Sequence, residues 1–347
     1  FFLVVGGLLW FLPVSLCAAE MATVEGWEKG GIYSWVGNTL GQRWGFSALF
    51  FQWFQITVGF VTMCFFILAA LAYVFKVDAL YKNPLAMFIG VAVIVWVLTF
   101  AQLGGTKYTE KISKIGLIGG IAVPILILNI GLVAYFMTGG KSQIDLSVKS
   151  LVPDFSDVKT LVIFASFILA YMGVEASASH VHELKEPNKM YPEVMIMLTV
   201  LTICLDAFGG LAVATTLPAK TLNGNLSYGV IETFENIYVN HFGEQFRWLV
   251  FVVALLLALG VFAEISAWIV GPSKALLEAA YDGILPARFE KTNKNGVSVF
   301  TIMLQAVIVT IWDAVLCGSI ALAGGSDSSV GYLTAIGLTV VIYLAAY

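Results

Sequence analysis

The chain has 347 residues, 59% of them hydrophobic and only 12% charged, with a net charge of −4. Soluble domains carry about 25% charged residues, so no water-exposed globule could hide this much apolar surface. The 18 lysines and arginines are scattered and form no basic patch for nucleic acid.

Cys17, Cys64, Cys204 and Cys317 each stand alone in an apolar segment, without CxxC or Cys/His spacing. They read as small core residues, and neither a metal site nor a disulfide framework is implied. No GxSxG, Walker A, HExxH or GxGxxG pattern occurs, so no enzyme chemistry and no cofactor are indicated.

In chain order the long apolar runs are 1–22, 46–74, 86–103, 115–137, 158–181, 194–217, 248–275, 297–320 and 330–347. About 20 such residues cross a bilayer core as helix, which gives nine spans and an all-α polytopic membrane protein. β-Barrel strands would alternate in polarity over about 10 residues, and these runs do not. The second run is long enough to require tilt. The first begins at Phe1 without a basic leader, and the last ends at Tyr347. The expectation is therefore a piece of a longer protein, cut within helices at both ends.

Loops after spans one, three, five and seven carry 11 Lys and Arg, against 7 in the others. The first set is expected to face the cytoplasm. Residues 138–157 and 218–247 are then the long outside connectors. Asn223-Gly224-Asn225 marks a turn. Asn225-Leu226-Ser227 is a formal glycosylation sequon. Residues 231–246 read as a short helix lying at the surface.

Four carboxylates, Glu175, Asp206, Glu264 and Asp313, fall inside these runs, with no lysine or arginine at that depth. Each costs roughly 2.5–3.5 kcal/mol to insert, so they point to a polar pathway. All four are candidate pH-sensing groups, and Glu175 and Glu264 are expected to be protonated in acid and ionised near neutrality. In the fifth run, Tyr171-Met172-Gly173-Val174-Glu175 places a glycine and an acid at mid-span. Secondary transporters bind substrate at such broken helices; the alternative is that Gly173, Ala176 and Ala178 only permit close packing.

Glu264 and Trp268 are four apart and share a helix face. A carboxylate one turn from an indole suits an ammonium ligand, although both could be satisfied by packing and a serine hydroxyl. Asp206 and Asp313 fit either a pathway or a packed helix interface. Tyr343 and Tyr347 also share a face, but tyrosines are common at membrane interfaces. His180 and His182 suit an interfacial role or a proton relay. Gly41-x-x-x-Gly45 and Gly116-x-x-x-Gly120 fit close helix contacts.

Several segments resemble the amino acid–polyamine–organocation transporters: Glu20-Met21-Ala22-Thr23, Gly30-Gly31-Ile32-Tyr33-Ser34-Trp35, Gly41-Gln42-Arg43-Trp44-Gly45-Phe46 and Asp282-Gly283-Ile284-Leu285-Pro286. Within that superfamily, Leu16–Thr23, Gly104–Thr109, Tyr171–Ala178, Ala263–Ser273 and Thr339–Leu344 are similar to the bacterial glutamate/γ-aminobutyrate antiporters of acid resistance. The resemblance runs nearly end to end. It implies a LeuT-like fold of two inverted five-helix repeats within twelve helices, of which this chain covers about helices two to ten. Residues 1–137 would be the first repeat lacking its first helix, and 158–347 the second, in one transporter domain.

By the same resemblance, Tyr171, Met172, Gly173, Val174, Glu175, Glu264, Trp268, Tyr343 and Tyr347 line the substrate pathway, with Trp268 beside the bound amino acid. The implied activity is exchange of external glutamate for internal γ-aminobutyrate across the bacterial cytoplasmic membrane. The implied partners are the amino acids and the lipid bilayer, with a functional link to a cytoplasmic glutamate decarboxylase; a homo-oligomer is compatible. Span four has no mid-membrane lysine, which favours exchange over proton symport. The competing expectations are a permease or antiporter for another amino acid or an amine such as agmatine or putrescine, and an amino-acid sensor.

Overall fold

The computed structural model describes all residues except 28–30, 148–151, 157–159, 161–163, 165, 166, 219, 220, 222–225 and 325–327; within it, the side chains of 106–110, 179, 180, 182, 183 and 328–330 are also left aside. The turn at Asn223-Gly224-Asn225 and the side chains of His180 and His182 therefore lie outside the described residues.

Each apolar run has a helical counterpart. Seven helices are long and apolar enough to cross a membrane, and two shorter apolar helices, Phe167–Ala178 and Gly331–Leu344, match the fifth and ninth runs. We number the helices α1 (Phe2–Ala22), α2 (Ile32–Leu40), α3 (Gln42–Phe75), α4 (Ala79–Lys82), α5 (Pro84–Gln102), α6 (Lys111–Met137), α7 (Pro187–Thr216), α8 (Gly229–Phe234), α9 (Arg247–Tyr281), α10 (Val299–Leu322) and α11 (Ser328–Leu344). Helices are the form in which a chain satisfies its own backbone in lipid. Local chemistry sets several of their ends. The Asn83 side chain accepts from the N–H groups of Leu85 and Ala86 at 2.9 and 3.3 Å, capping α5 beside Pro84. Gly31 and Gly41, with φ of 53° and 103°, open α2 and α3.

α3 has 34 residues, about 51 Å at 1.5 Å per residue, which exceeds a 30 Å hydrocarbon core and so requires the tilt expected. It is the most enclosed long helix, and α7 is the least. α3 packs most extensively on α9 and also meets α2, α5, α10 and α11. The largest apolar cluster lies around it, from Phe60, Cys64 and Leu68 to Val253, Ala306 and Val309. α6 crosses α9 closely: a Cβ on Gly120 would stand 2.2 Å from Gly260 Cα, and one on Gly116 would stand 2.2 Å from Ala263 Cβ. The Gly116/Gly120 expectation therefore holds. Gly45 likewise sits against Tyr33 O and Gly37, whereas Gly41 has nothing near it and serves the turn.

Two expectations are corrected. The segment 231–246 is helical except at 242 and 243, but its apolar face is packed inside the bundle, and only polar positions such as Asn240, Glu244 and Gln245 are exposed. Ile231, Phe234 and Ile237 are fully buried because their spacing presents one apolar face to the main cluster. Of the four cysteines, Cys64 and Cys317 are buried, but Cys17 and Cys204 are exposed.

On the side expected to be cytoplasmic, the resemblance segments meet in space. Tyr33 Oη donates to Asp282 Oδ2 at 2.7 Å. The Asn293 and Asn295 amides both donate to Leu103 O, at 2.9 and 2.8 Å.

Candidate functional site

The fifth run is interrupted where the sequence places Gly173. Ala170, Tyr171 and Met172 donate to carbonyls three residues back, the tightened bonding of a helix end. Gly173 has φ 104°, and a 3-10 helix, Val174–Glu183, follows. An L side chain rarely adopts that backbone, and there is no room for one. A Cβ would lie 2.6 Å from Trp268 Cζ2 and 3.3 Å from Tyr343 Oη.

The break delivers Glu175 to a set of donors. Its carboxylate is 3% exposed. Oε1 accepts from Tyr343 Oη at 2.5 Å and from Gln52 Nε2 at 3.0 Å. Oε2 accepts from Tyr347 Oη at 2.5 Å. The Tyr347 hydroxyl in turn accepts the Gly173 N–H at 3.1 Å. One backbone donor freed by the break is thus tied through a tyrosine to the acid two residues on. Gln52 is anchored from its own helix: its carbonyl accepts from Gln55 Nε2 at 3.1 Å.

Aromatic rings surround this cluster. Trp268 meets Tyr343 edge-on at 6.4 Å, Tyr343 lies 5.5 Å from Tyr347, and Trp10 lies 5.4 Å from Tyr347. Beside it, a cavity of about 270 Å³ opens between α1 and α2, lined by Val14, Cys17, Trp35, Glu175 and Tyr347 among others. Its wall is mostly apolar with one carboxylate, the pattern of a small-molecule site.

The remaining candidates divide. Tyr171 is fully buried, donates to Leu3 O at 2.6 Å and packs on Phe11 at 5.3 Å. Val174 is buried in the same cluster, and Met172 packs against the neighbouring one. Glu264 is exposed on α9, one turn from Trp268, and is not among the residues lining the Glu175 cavity. Asp206 is half-buried, and its Oδ2 has no hydrogen-bond partner among the described residues. Asp313 is fully buried within the α10 interface, where Oδ1 accepts from Cys317 Sγ at 3.3 Å and Oδ2 has no partner among the described residues.

Gln52, Trp10 and Trp35 escaped sequence reasoning. Two glutamines three apart in the apolar run 46–74 are a readable sign, since an amide in a membrane helix seeks a partner on another helix.

A bundle of membrane-length helices around a shorter apolar segment broken at a glycine beside a buried, tyrosine-held acid defines a secondary-carrier architecture. The family model for amino acid permeases matches residues 1–347. The chain belongs to that family of transporters, within the amino acid–polyamine–organocation superfamily, and is a multi-pass bacterial membrane protein. It is 55% identical over 347 residues to the glutamate/gamma-aminobutyrate antiporter of Lactococcus lactis subsp. lactis (strain IL1403), covering 100% of this chain and 67% of that protein. It is 55% identical over 344 residues to the protein of the same name from subsp. cremoris (strain MG1363), covering 99% and 67%. A protein named Probable agmatine/putrescine antiporter, from the first strain, is 21% identical over 300 residues, covering 86% and 62%. The chain thus spans about two thirds of the length of these relatives.

Proposed function

We propose that this chain forms the body of an exchanger that brings glutamate in and carries γ-aminobutyrate out, supporting survival in acid. The observation that carries this reading is the 55% identity, along the entire chain, to antiporters of that name. The much lower identity to the relative named for agmatine and putrescine disfavours the cationic-amine alternative. In this reading residues 1–137 and 158–347 are the two repeats, and Glu175, Trp268, Tyr343 and Tyr347 line the passage. Glu264, one turn from Trp268 but exposed outside the cavity beside Glu175, acts on the pH range of exchange through its charge and not by contact with the bound substrate.

The chemistry follows from charge. Ionised acids along the passage repel a net-anionic glutamate, whereas glutamate carrying a protonated side chain enters as a zwitterion. A cytoplasmic decarboxylase that turns glutamate into γ-aminobutyrate consumes one proton per molecule. Exporting that product completes a cycle that removes one proton.

Proteoliposomes holding the full-length protein and loaded with γ-aminobutyrate test this. Labelled glutamate should enter much faster at about pH 5 than at about pH 8, because about one glutamate side chain in six is protonated at the lower pH and fewer than about one in a thousand at the higher. Equal uptake at both would defeat the proposal. The Glu264→Gln variant should widen the active range towards neutrality, and an unchanged profile would remove Glu264 from pH sensing.

A further inference from the structure

A second and larger cavity, about 640 Å³, opens at the other end of α3, between its last turn, α4, Tyr228, Glu235 and the start of α9. Three tyrosines form one wall. Tyr81 stacks on Tyr228 with centroids 5.4 Å apart and planes at 11°, and Tyr73 lies 6.1 Å from Tyr228. Both signs of charge line it, with Lys76 and Arg247 against Asp78 and Glu235.

The cations retain capacity. Arg247 gives one N–H to Glu235 at 3.0 Å and two to Glu244 at 2.6 and 2.7 Å, three of the five donors a guanidinium offers. Lys76 makes no ion pair among the described residues. The Tyr73 hydroxyl is buried beside Arg247 without a well-formed hydrogen bond. Lys76 is also the one described non-glycine residue with positive φ, 56°. That left-handed backbone ends α3, with the Lys76 N–H bonded to Ala72 O, and so sets where the Lys76 side chain leaves the helix.

The mouth of this cavity is apolar and outward-facing. Trp248, 64% exposed, is followed down α9 by exposed Phe251, Val252, Leu255 and Leu259, a stripe at helical spacing about 16 Å long. Phe75 is exposed at the end of α3. A free amino acid would leave most of the cavity empty and the stripe untouched.

We propose that this cavity holds the head group of a phospholipid bearing a primary ammonium, with an acyl chain along the α9 stripe. The phosphate meets Lys76, the remaining Arg247 donors and the Tyr73 hydroxyl. Asp78 gives one oxygen to Lys82 at 2.6 Å and Glu235 gives one to Arg247 at 3.0 Å; the ammonium meets the other oxygen of each. Lys76, Lys82 and Arg247 already balance Asp78, Glu235 and Glu244, so a purely anionic head group would add an uncompensated negative charge, and a trimethylated ammonium could not hydrogen-bond the carboxylates. Aromatic and basic side chains at head-group level are a recurring lipid-binding combination.

Native mass spectrometry of the full-length protein with equal amounts of phosphatidylethanolamine, phosphatidylglycerol and phosphatidylcholine, matched in acyl chains, tests this. Phosphatidylethanolamine should be retained about tenfold over the other two. Lys76→Gly removes the ammonium while suiting the left-handed backbone. This variant and Tyr81→Ala should both erase the preference. Ile130→Ala, on the exposed face of α6, should keep it. Equal retention of the three lipids, or a preference that survives both cavity variants, would overturn the proposal. So would displacement of the lipid by free γ-aminobutyrate, or by glycerophosphoethanolamine at the lipid's own concentration.

Discussion

Gly173 meets two demands at once, a left-handed φ of 104° and the close approach of Trp268. Gly173→Ala should therefore cost about 1–3 kcal/mol from the backbone alone, with Trp268 displaced from Tyr343 besides. The expected outcome is a lower melting temperature and loss of exchange. Gly209→Ala is the matched control, because nothing lies within 4 Å of its Cβ position and alanine favours a helix. A Gly173→Ala protein as stable and active as Gly209→Ala would show that the break needs no glycine. At this scale the sequence was legible where cost is high. Glu175 declares itself because an acid in hydrocarbon is expensive, and its glycine neighbour declares the break. Gln52 stayed hidden because an amide is cheaper to insert, and its partner lies 123 residues away. The direction of Glu264 was equally unreadable. Helical spacing puts it on Trp268's side of α9, yet one turn of separation leaves one side chain exposed and the other packed.

Close helix crossings are set by small residues, and α6 against α9 is the tightest such contact here. A Cβ on Gly120 would meet Gly260 Cα at 2.2 Å and Leu256 O at 2.8 Å. Both are backbone atoms, so no rotamer change relieves the clash and the helices must part. Gly120→Ala should destabilise the protein by at least the roughly 1–3 kcal/mol typical of overpacking. Gly119→Ala, whose Cβ would sit 3.7 Å from Leu256 Cδ2, should be close to neutral. Thermal unfolding of the two variants in detergent compares them, and similar melting temperatures would refute the contact. The small-residue spacing announced Gly116 and Gly120 but not their partner helix. The pattern also over-read Gly41, which it could not tell from a turn glycine. Apolar periodicity found every long helix, yet it misjudged 231–246. A half-polar segment looks the same whether its apolar side meets lipid or protein, and Ile231, Phe234 and Ile237 meet protein.

Across the whole molecule, the site depends on residues 10, 35, 52, 175, 268, 343 and 347 arriving together, which no local pattern specifies. The packing of α2, α3, α9 and α11 around the break brings Glu175, Trp268, Tyr343 and Tyr347 together and leaves Glu264 exposed outside that cluster. A protein proposed to work in acid should also hold its fold there, and one group outside the spans gives that expectation a sign. Glu232 on α8 is half-buried, and its Oε2 has no partner among the described residues. Burial first, and then the charge of Glu235, raise its pKa above the ordinary carboxylate value, near 4.3. The folded state therefore binds this proton more readily than the unfolded chain does. Linkage then makes its contribution complete below about pH 4.3 and progressively lost as pH rises through the folded value. Glu232→Gln removes the titration and with it the loss. Melting temperatures of both proteins across about pH 4 to 7 should show the variant gaining on the parent as pH rises, because only the parent must bury a charge there. A difference between the two that stays constant over that range would mean that Glu232 titrates alike in the folded and unfolded chain.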